Sequence, residues 1–354
     1  MAEILGLGLT HYPPLSWRDE SMADLLRMLE RAPAVGADFK DRSTWPAEMR
    51  AELDEDDGAA AAIRHRERLV AGFRRCRRAL DEFRPDFVVI FGDDQYENFR
   101  EDLIPPFCVF GLDEILLHPW AGGAGALRPN RWGEPKQFVF RVRGHRDGAR
   151  TIARGLLERG VDLPYAYRPL HHDGLAHAFT NTLLYLDWDR EGFPHPVVPF
   201  HVNCYGAGLL ATRGGFAHLL GSSQPQCPPD PPAPAPNRCM EVGARLAEVL
   251  PESPWRVALV ASSSWSHAFL TPRGGYLWPD RESDRLLFEA LRRGDLAVWR
   301  ERRLDQYEAA GQHELLNWCV LLGAMERLGR RCEVIDWIET FVFNSNKCFA
   351  IFPE

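Results

Sequence analysis

No apolar run in this chain reaches the ~18 residues that a membrane-spanning helix needs, and the start Met1-Ala2-Glu3 lacks the basic region of a secretory signal. The expectation is a cytoplasmic protein with no membrane segment. Clustered positive charge is missing as well. The net charge is -8, and binding nucleic acid by counterion release requires grouped Lys and Arg, so a general nucleic-acid binder is excluded. The run Arg74-Arg75-Cys76-Arg77-Arg78 reads as the solvated face of a helix. There is no CxxC pair among the eight cysteines at 76, 108, 204, 227, 239, 319, 332 and 348. Several lie in apolar surroundings, which points to buried free thiols in a reducing compartment rather than disulfides or a zinc cage. A Gly-x-Ser-x-Gly elbow is absent too, which argues against a serine hydrolase at Ser262–Ser266. No internal repeat is found.

What remains is an ordinary globular balance. The chain has 354 residues, 45% hydrophobic and 26% charged, enough for a large core in one domain or two. Ile4–Leu9, Phe87–Phe91, Phe107–Phe110, Gln137–Val142, Val197–Val202 and Arg256–Ala261 read as strands. Met22–Arg31, Ala59–Phe83, Ala149–Gly160, Arg238–Val249, Asp284–Arg293 and Glu314–Leu328 carry helical spacing. Gly160 suits a C-cap. The proline-rich Gln224–Asn237 reads as an extended surface loop, because the strand–helix alternation continues beyond it. One α/β domain over 1–354 is expected, with helices on both sheet faces and a helical insertion at about 16–84.

Four polar islands stand beside apolar runs: Thr10-His11-Tyr12-Pro13-Pro14, Phe91–Phe99, Ser264-Trp265-Ser266-His267 and His313–Trp318. Three of them follow strands, and the carboxyl ends of strands in an α/β sheet are where ligands collect. His11 sits between a strand and two prolines that force the chain out of regular structure. Asp93-Asp94-Gln95 puts two adjacent acids at a strand end, where they serve as helix cap and surface acid or as metal and substrate ligands. His267 has the proton affinity of an acid–base group near neutrality. Glu314 opens an apolar helix, either as favourable charge at its N-terminus or as a carboxylate ligand. His171, His172 and His177 do not have the spacing of a standard zinc motif. Together the islands suggest a mononuclear metal site.

In this order the islands resemble the class III extradiol ring-cleavage dioxygenases, the LigB-type catalytic subunits related to protocatechuate 4,5-dioxygenase. The resemblance runs from Ile4 to about Ile351 and is weakest over 16–84. It rests on Gly-Leu-Thr-His11-Tyr-Pro, Gly-Asp-Asp-Gln95-Tyr-Glu-Asn-Phe, Leu-Ala-His177-Ala-Phe, Val-Pro-Phe-His201-Val-Asn203, Pro-Asn-Arg238-Cys239, Ser-Trp-Ser-His267 and His-Glu314-Leu-Leu-Asn-Trp. It implies a single LigB-like domain with a central mixed sheet flanked by helices. It implies a non-haem Fe(II) enzyme that opens a catechol-like ring with O₂. The ligands carried over are His11 and Glu314, with Gln95 where the family has its second His. The acid–base group carried over is His267, with His177 near the substrate. Tyr12, Asp94, His201 and Asn203 are the substrate-binding candidates, and Arg213 and Arg238 are candidates for a substrate carboxylate. The expected partners are a small aromatic diol and O₂, with a homodimer as the assembly. The segment 16–84 would be a lid or a subunit contact.

Gln95 departs from the family pattern. A neutral amide oxygen is a poorer Fe(II) donor than imidazole, so Asp94 or Glu97 would have to rescue the site. Two alternatives follow: a metal-deficient structural or regulatory paralogue, and a metal-dependent hydrolase or lyase that uses no O₂.

Overall fold

Six apolar residues in a row, Ile4–Leu9, form a strand buried along its whole length, β1. Such runs belong in a sheet covered on both faces. The computed structural model describes residues 3–215, 217–221 and 229–353. The other strands are β2 (Phe87–Gly92), β3 (Phe107–Phe110), β4 (Glu114–Leu117), β5 (Phe140–Arg143), β6 (Tyr165–Ala166), β7 (Val197–Val202), β8 (Val257–Ser262), β9 (Glu333–Ile338) and β10 (Lys347–Phe352). Eight of them make one mixed sheet in the order β6-β3-β7-β2-β8-β1-β10-β9, and β4 and β5 form a separate antiparallel pair.

The middle of the sheet is parallel. β8 lies between β2 and β1, with Leu9 paired to Ser262 and Phe91 to Ala261. The residues that leave these three strands therefore emerge side by side at one edge. β3 and β10 run antiparallel to their inner neighbours, which makes the sheet mixed as expected. β4, β6, β9 and β10 escaped the sequence reading. β10 is buried beside β1 yet opens with Lys347, an unusual residue for such a position.

Helices cover both faces. Ala59–Phe83 and His177–Leu186 pack on one, and Arg146–Glu158, Pro236–Val249 and Leu315–Arg327 on the other. Close approach on the second face depends on missing side chains. A Cβ at Gly8 would come within 2.1 Å of the Trp318 ring, and one at Gly323 within 1.9 Å of the Met240 carbonyl oxygen. Gly8 thus seats the Leu315–Arg327 helix against β1, and Glu314 at the head of that helix comes to the end of β1.

The segment 16–84 is a layer of the domain. Phe73 of its long helix is buried edge-on against Phe349 of β10 and Tyr185 of the facing helix. Arg66, 4% exposed, donates to the backbone carbonyls of Leu15 and Trp17 and pairs with Asp19. Part of the proline-rich stretch lies outside the described residues. From 229 to 235 it runs without regular structure, and Pro236 opens the next helix. Seven described cysteines are free and six of them are buried. No helix among the described residues is long and apolar enough to cross a membrane.

Candidate metal centre and its cavity

His11, Asp93 and the Ser262–His267 loop leave β1, β2 and β8 at the same edge of the sheet. His11 is 1% exposed, and its Nε2 has no hydrogen-bond partner among the described residues. That nitrogen lies 3.4 Å from Glu314 Oε2 and 3.7 Å from Asp93 Oδ1. Asp93 Oδ2 is likewise buried without a partner. Two carboxylates and an imidazole lone pair buried together are unfavourable unless something positive lies between them.

The tautomer of His11 follows from its neighbours. His11 Nδ1 is 3.0 Å from Ser262 Oγ, which is 2.6 Å from Thr182 Oγ1, which in turn is 2.7 Å from the Ala178 carbonyl oxygen. A carbonyl only accepts, so the Thr182 hydroxyl donates to it and takes a hydrogen bond from Ser262. Ser262 then accepts from the His11 Nδ1–H. The lone pair is left on Nε2, facing the carboxylates, as a metal-ligating histidine requires. Asn181 holds the His11 carbonyl at 3.1 Å.

Glu314 is held from two sides. Oε1 accepts from the Tyr205 hydroxyl at 2.9 Å, and Oε2 accepts from the Ser264 backbone N–H at 2.6 Å. Burial pushes this carboxyl up, but the neighbouring His11 and His267 rings and the Ser264 N–H hold it below the usual range. Asp93 goes the other way: burial and the charge of Glu314 raise it to about 6. Its Oδ1 accepts from Asn317 Nδ2 at 3.2 Å.

Two further imidazoles complete the wall. The ring of His177, at the head of its helix, is 5.4 Å from that of His11 in an edge-on arrangement. Its Nδ1 is 3.0 Å from Glu97 Oε2, and its backbone N–H donates to Glu97 Oε1. Burial lowers this imidazole, yet the Glu97 charge dominates and raises it to about 9, so it is a cation. Donor atoms of His11, Asp93 and His177 all lie within 4.8 Å of one another. Nδ1 is taken by Glu97, and in the cationic ring the second nitrogen also carries a proton, so His177 is a donor here rather than a ligand. His267 stands 3.7 Å from Glu314 Oε1 and is pushed down to about 3 by burial, so it is neutral.

The donors fit a divalent ion. Ligand bonds of about 2.1 Å place neighbouring donors roughly 3.0–3.4 Å apart, close to the 3.4 and 3.7 Å around His11 Nε2. His11, Tyr12, Gln95, Glu97, His177 and His267 border a cavity of about 610 Å³ with Trp17, Leu25, Leu175 and Phe269. That volume is in the range of a small-molecule site, apolar with a few convergent polar groups.

The remaining sequence candidates are placed as follows. Gln95 borders the cavity, but its amide nitrogen is committed to the Tyr205 hydroxyl at 2.5 Å. Asp94 is turned into its own loop, where it accepts backbone N–H bonds from Glu97 and Asn98 at 2.9 and 2.7 Å. Tyr12 is buried, with its ring beneath Lys347 Nζ at 4.3 Å. His201 lies in β7 against Phe99, and Asn203 Oδ1 caps the following turn through the Gly206 N–H. Arg238 pairs with Glu241 on an exposed helix surface. Sequence reasoning missed Tyr205, Thr182 and the role of Ser262. They carry no local motif, since each acts across 80 or more residues of chain.

Residues 230–343 match the family described as the catalytic LigB subunit of aromatic ring-opening dioxygenase. The chain is related to the LigB family. This match holds His267 and Glu314, and longer alignments reach the N-terminal half. A 2,3-dihydroxyphenylpropionate/2,3-dihydroxicinnamic acid 1,2-dioxygenase of a Rhodococcus species is 27% identical over 77% of this chain and 88% of that protein. The protein of the same name from Burkholderia vietnamiensis is 25% identical over 79% and 87%. One from Rhodococcus jostii reaches 32% over 38% and 35%. These relatives are thus named as dioxygenases, which supports oxidoreductase chemistry at family level. Among solved structures, an uncharacterized protein from Escherichia coli K12 overlaps 81% of this LigB-like chain and 92% of its own, with a TM-score of 0.48 and 12% identity.

Proposed function

We propose that this protein is an extradiol-type dioxygenase that opens a catechol-like ring with O₂ and uses Fe(II) held by His11, Asp93 and Glu314. The observation that carries the reading is the convergence of a tautomer-locked imidazole and two buried carboxylates, with that imidazole bordering an apolar cavity. Gln95 supports Glu314 through Tyr205 instead of serving as the third ligand. When bound, the metal supplies Lewis acidity toward the diol and the one-electron chemistry that O₂ requires.

The protein groups divide the proton work. Neutral His267 is suited to take a proton from a diol hydroxyl. His177, kept cationic by Glu97, borders the same cavity and is suited to return one to the opened ring. Trp17, Leu25, Leu175 and Phe269 give the cavity an apolar lining suited to an aromatic ring, and excluding water there would strengthen both charge interactions. Pro13 and Pro14 fix the backbone after His11 so that the ligand does not drift from the cavity floor.

The test is oxygen uptake by protein loaded anaerobically with Fe(II) and then given catechol or 2,3-dihydroxyphenylpropionate. Consumption of O₂ matched by a product carrying both oxygen atoms supports the reading. Turnover of such substrates at equal rate without O₂ would point to a hydrolase or lyase instead.

A further inference from the structure

The loop that follows Asp93 ends in a cation, Arg100, that has no ion pair among the described residues. Arg100 borders the same cavity as His11 and His267. Among the described residues it has no ion pair and donates no side-chain hydrogen bond, and its Nε is buried without a partner. Its recorded contact is with the ring of Tyr96, at 5.5 Å from the centroid, where the Arg213 guanidinium also lies at 5.6 Å.

The acids nearby are already engaged. Asp94 binds backbone N–H groups, Glu97 holds His177, Glu101 accepts from the Tyr96 hydroxyl at 2.5 Å, and Asp102 holds His171 at 2.7 Å. The Arg100 charge reaches Glu101, which is already bonded to Tyr96, and makes no ion pair among the described residues, so its guanidinium is open to an anion from outside. The loop is also rigid. Besides the Asp94 bonds, the Asn98 side chain donates to the Gly174 carbonyl and accepts from the Ala176 N–H. Tyr96 is held at a φ of 65°. These bonds tie down the backbone between Asp93 and Arg100. His118 and His172 border this cavity too and add ring donors.

We infer that Arg100 forms an anion subsite in the cavity that receives the carboxylate of an aryl-alkanoate whose ring lies over the metal centre. The placing of the ring rests on the diol reading above, while the subsite itself does not. Arg100 is thereby a residue that sets specificity for acidic over neutral aromatics.

The experiment is calorimetric titration with 3-phenylpropionate and its neutral amide, neither of which carries a diol. Wild type should bind the acid at least about tenfold more tightly than the amide, as a charge-assisted bond implies. Arg100→Gln should abolish that preference, and Arg100→Lys should restore part of it. Equal affinity for acid and amide, no binding of the acid, or a preference that survives in Arg100→Gln would each overturn the subsite. Because the probe cannot be ring-opened, a failure of oxygen uptake would count against the dioxygenase reading and leave this result standing.

Discussion

The Gln95 amide nitrogen lies 2.5 Å from the Tyr205 hydroxyl, and that hydroxyl donates to Glu314 Oε1 at 2.9 Å. The residue that the resemblance puts at the second histidine position would therefore act on the proposed metal centre at one remove, by fixing the tyrosine that fixes the carboxylate. Tyr205→Phe should leave the fold intact but free one oxygen of Glu314. Metal affinity should fall at least about tenfold, the usual cost of losing a partner behind a ligand. Equilibrium dialysis of wild type and variant checks this, and unchanged affinity would remove Tyr205 from the site.

Ser262 decides which nitrogen of His11 carries the proton. In Ser262→Ala the chain from His11 through Thr182 to the Ala178 carbonyl is cut, and either tautomer becomes accessible. Metal affinity should drop about 10- to 100-fold, while Ser262→Thr, which keeps the hydroxyl, should lose less. Dialysis of the two variants side by side separates loss of the hydrogen bond from general disturbance of the site.

Gly323 sets the distance between the two helices behind Glu314. Alanine is a better helix former by about 1 kcal/mol, which favours Gly323→Ala in isolation. The new Cβ would meet the Met240 carbonyl oxygen at 1.9 Å, and backbone cannot rotate away. Overpacking of this kind costs about 1–3 kcal/mol, so the variant should be net less stable in denaturant titration. A gain in stability would show that the helices can part freely.

Lys347 is fully buried, donating to the Ser345 carbonyl at 2.7 Å, and burial pulls its ammonium down to about 7. Its folded pKa is below the unfolded one, so the cost of burying charge is absent above about pH 10.5. It grows as pH falls and is complete below about pH 7. Lys347→Met should therefore be more stable than wild type near neutrality, on the order of 1–3 kcal/mol, with the gap closing toward pH 10. Chemical unfolding at pH 7, 8.5 and 10 reads the trend. A gap that widens with pH would contradict it.

Much of this architecture is legible in the residue order. Apolar runs such as Ile4–Leu9 and Val257–Ala261 could only be buried strands, and the polar residues just after them had to meet at one sheet edge once the strands ran parallel. His11 and His267 stand out that way, and Glu314 stands out by opening an apolar helix. The antiparallel β10 was missed because Lys347 breaks its pattern. The sequence reading also offered Gln95, Asp94 or Glu97 to complete the metal ligands. It could not see that Asp94 folds into its own loop, that Glu97 is spent on His177, or that Asp93 alone of the three acids turns toward His11. Those outcomes depend on φ angles near Tyr96 and on bonds to residues 80 to 250 positions away, which no local pattern encodes.

Metal content after anaerobic loading with Fe(II), for wild type beside Asp93→Asn and Gln95→Leu, tests the central claim most directly. The geometry predicts near one ion per wild-type chain, loss of the ion in Asp93→Asn, and its retention, with weaker binding, in Gln95→Leu. An ion kept in Asp93→Asn and lost in Gln95→Leu would make the amide the ligand and contradict the assignment, as would wild-type protein that takes up no metal.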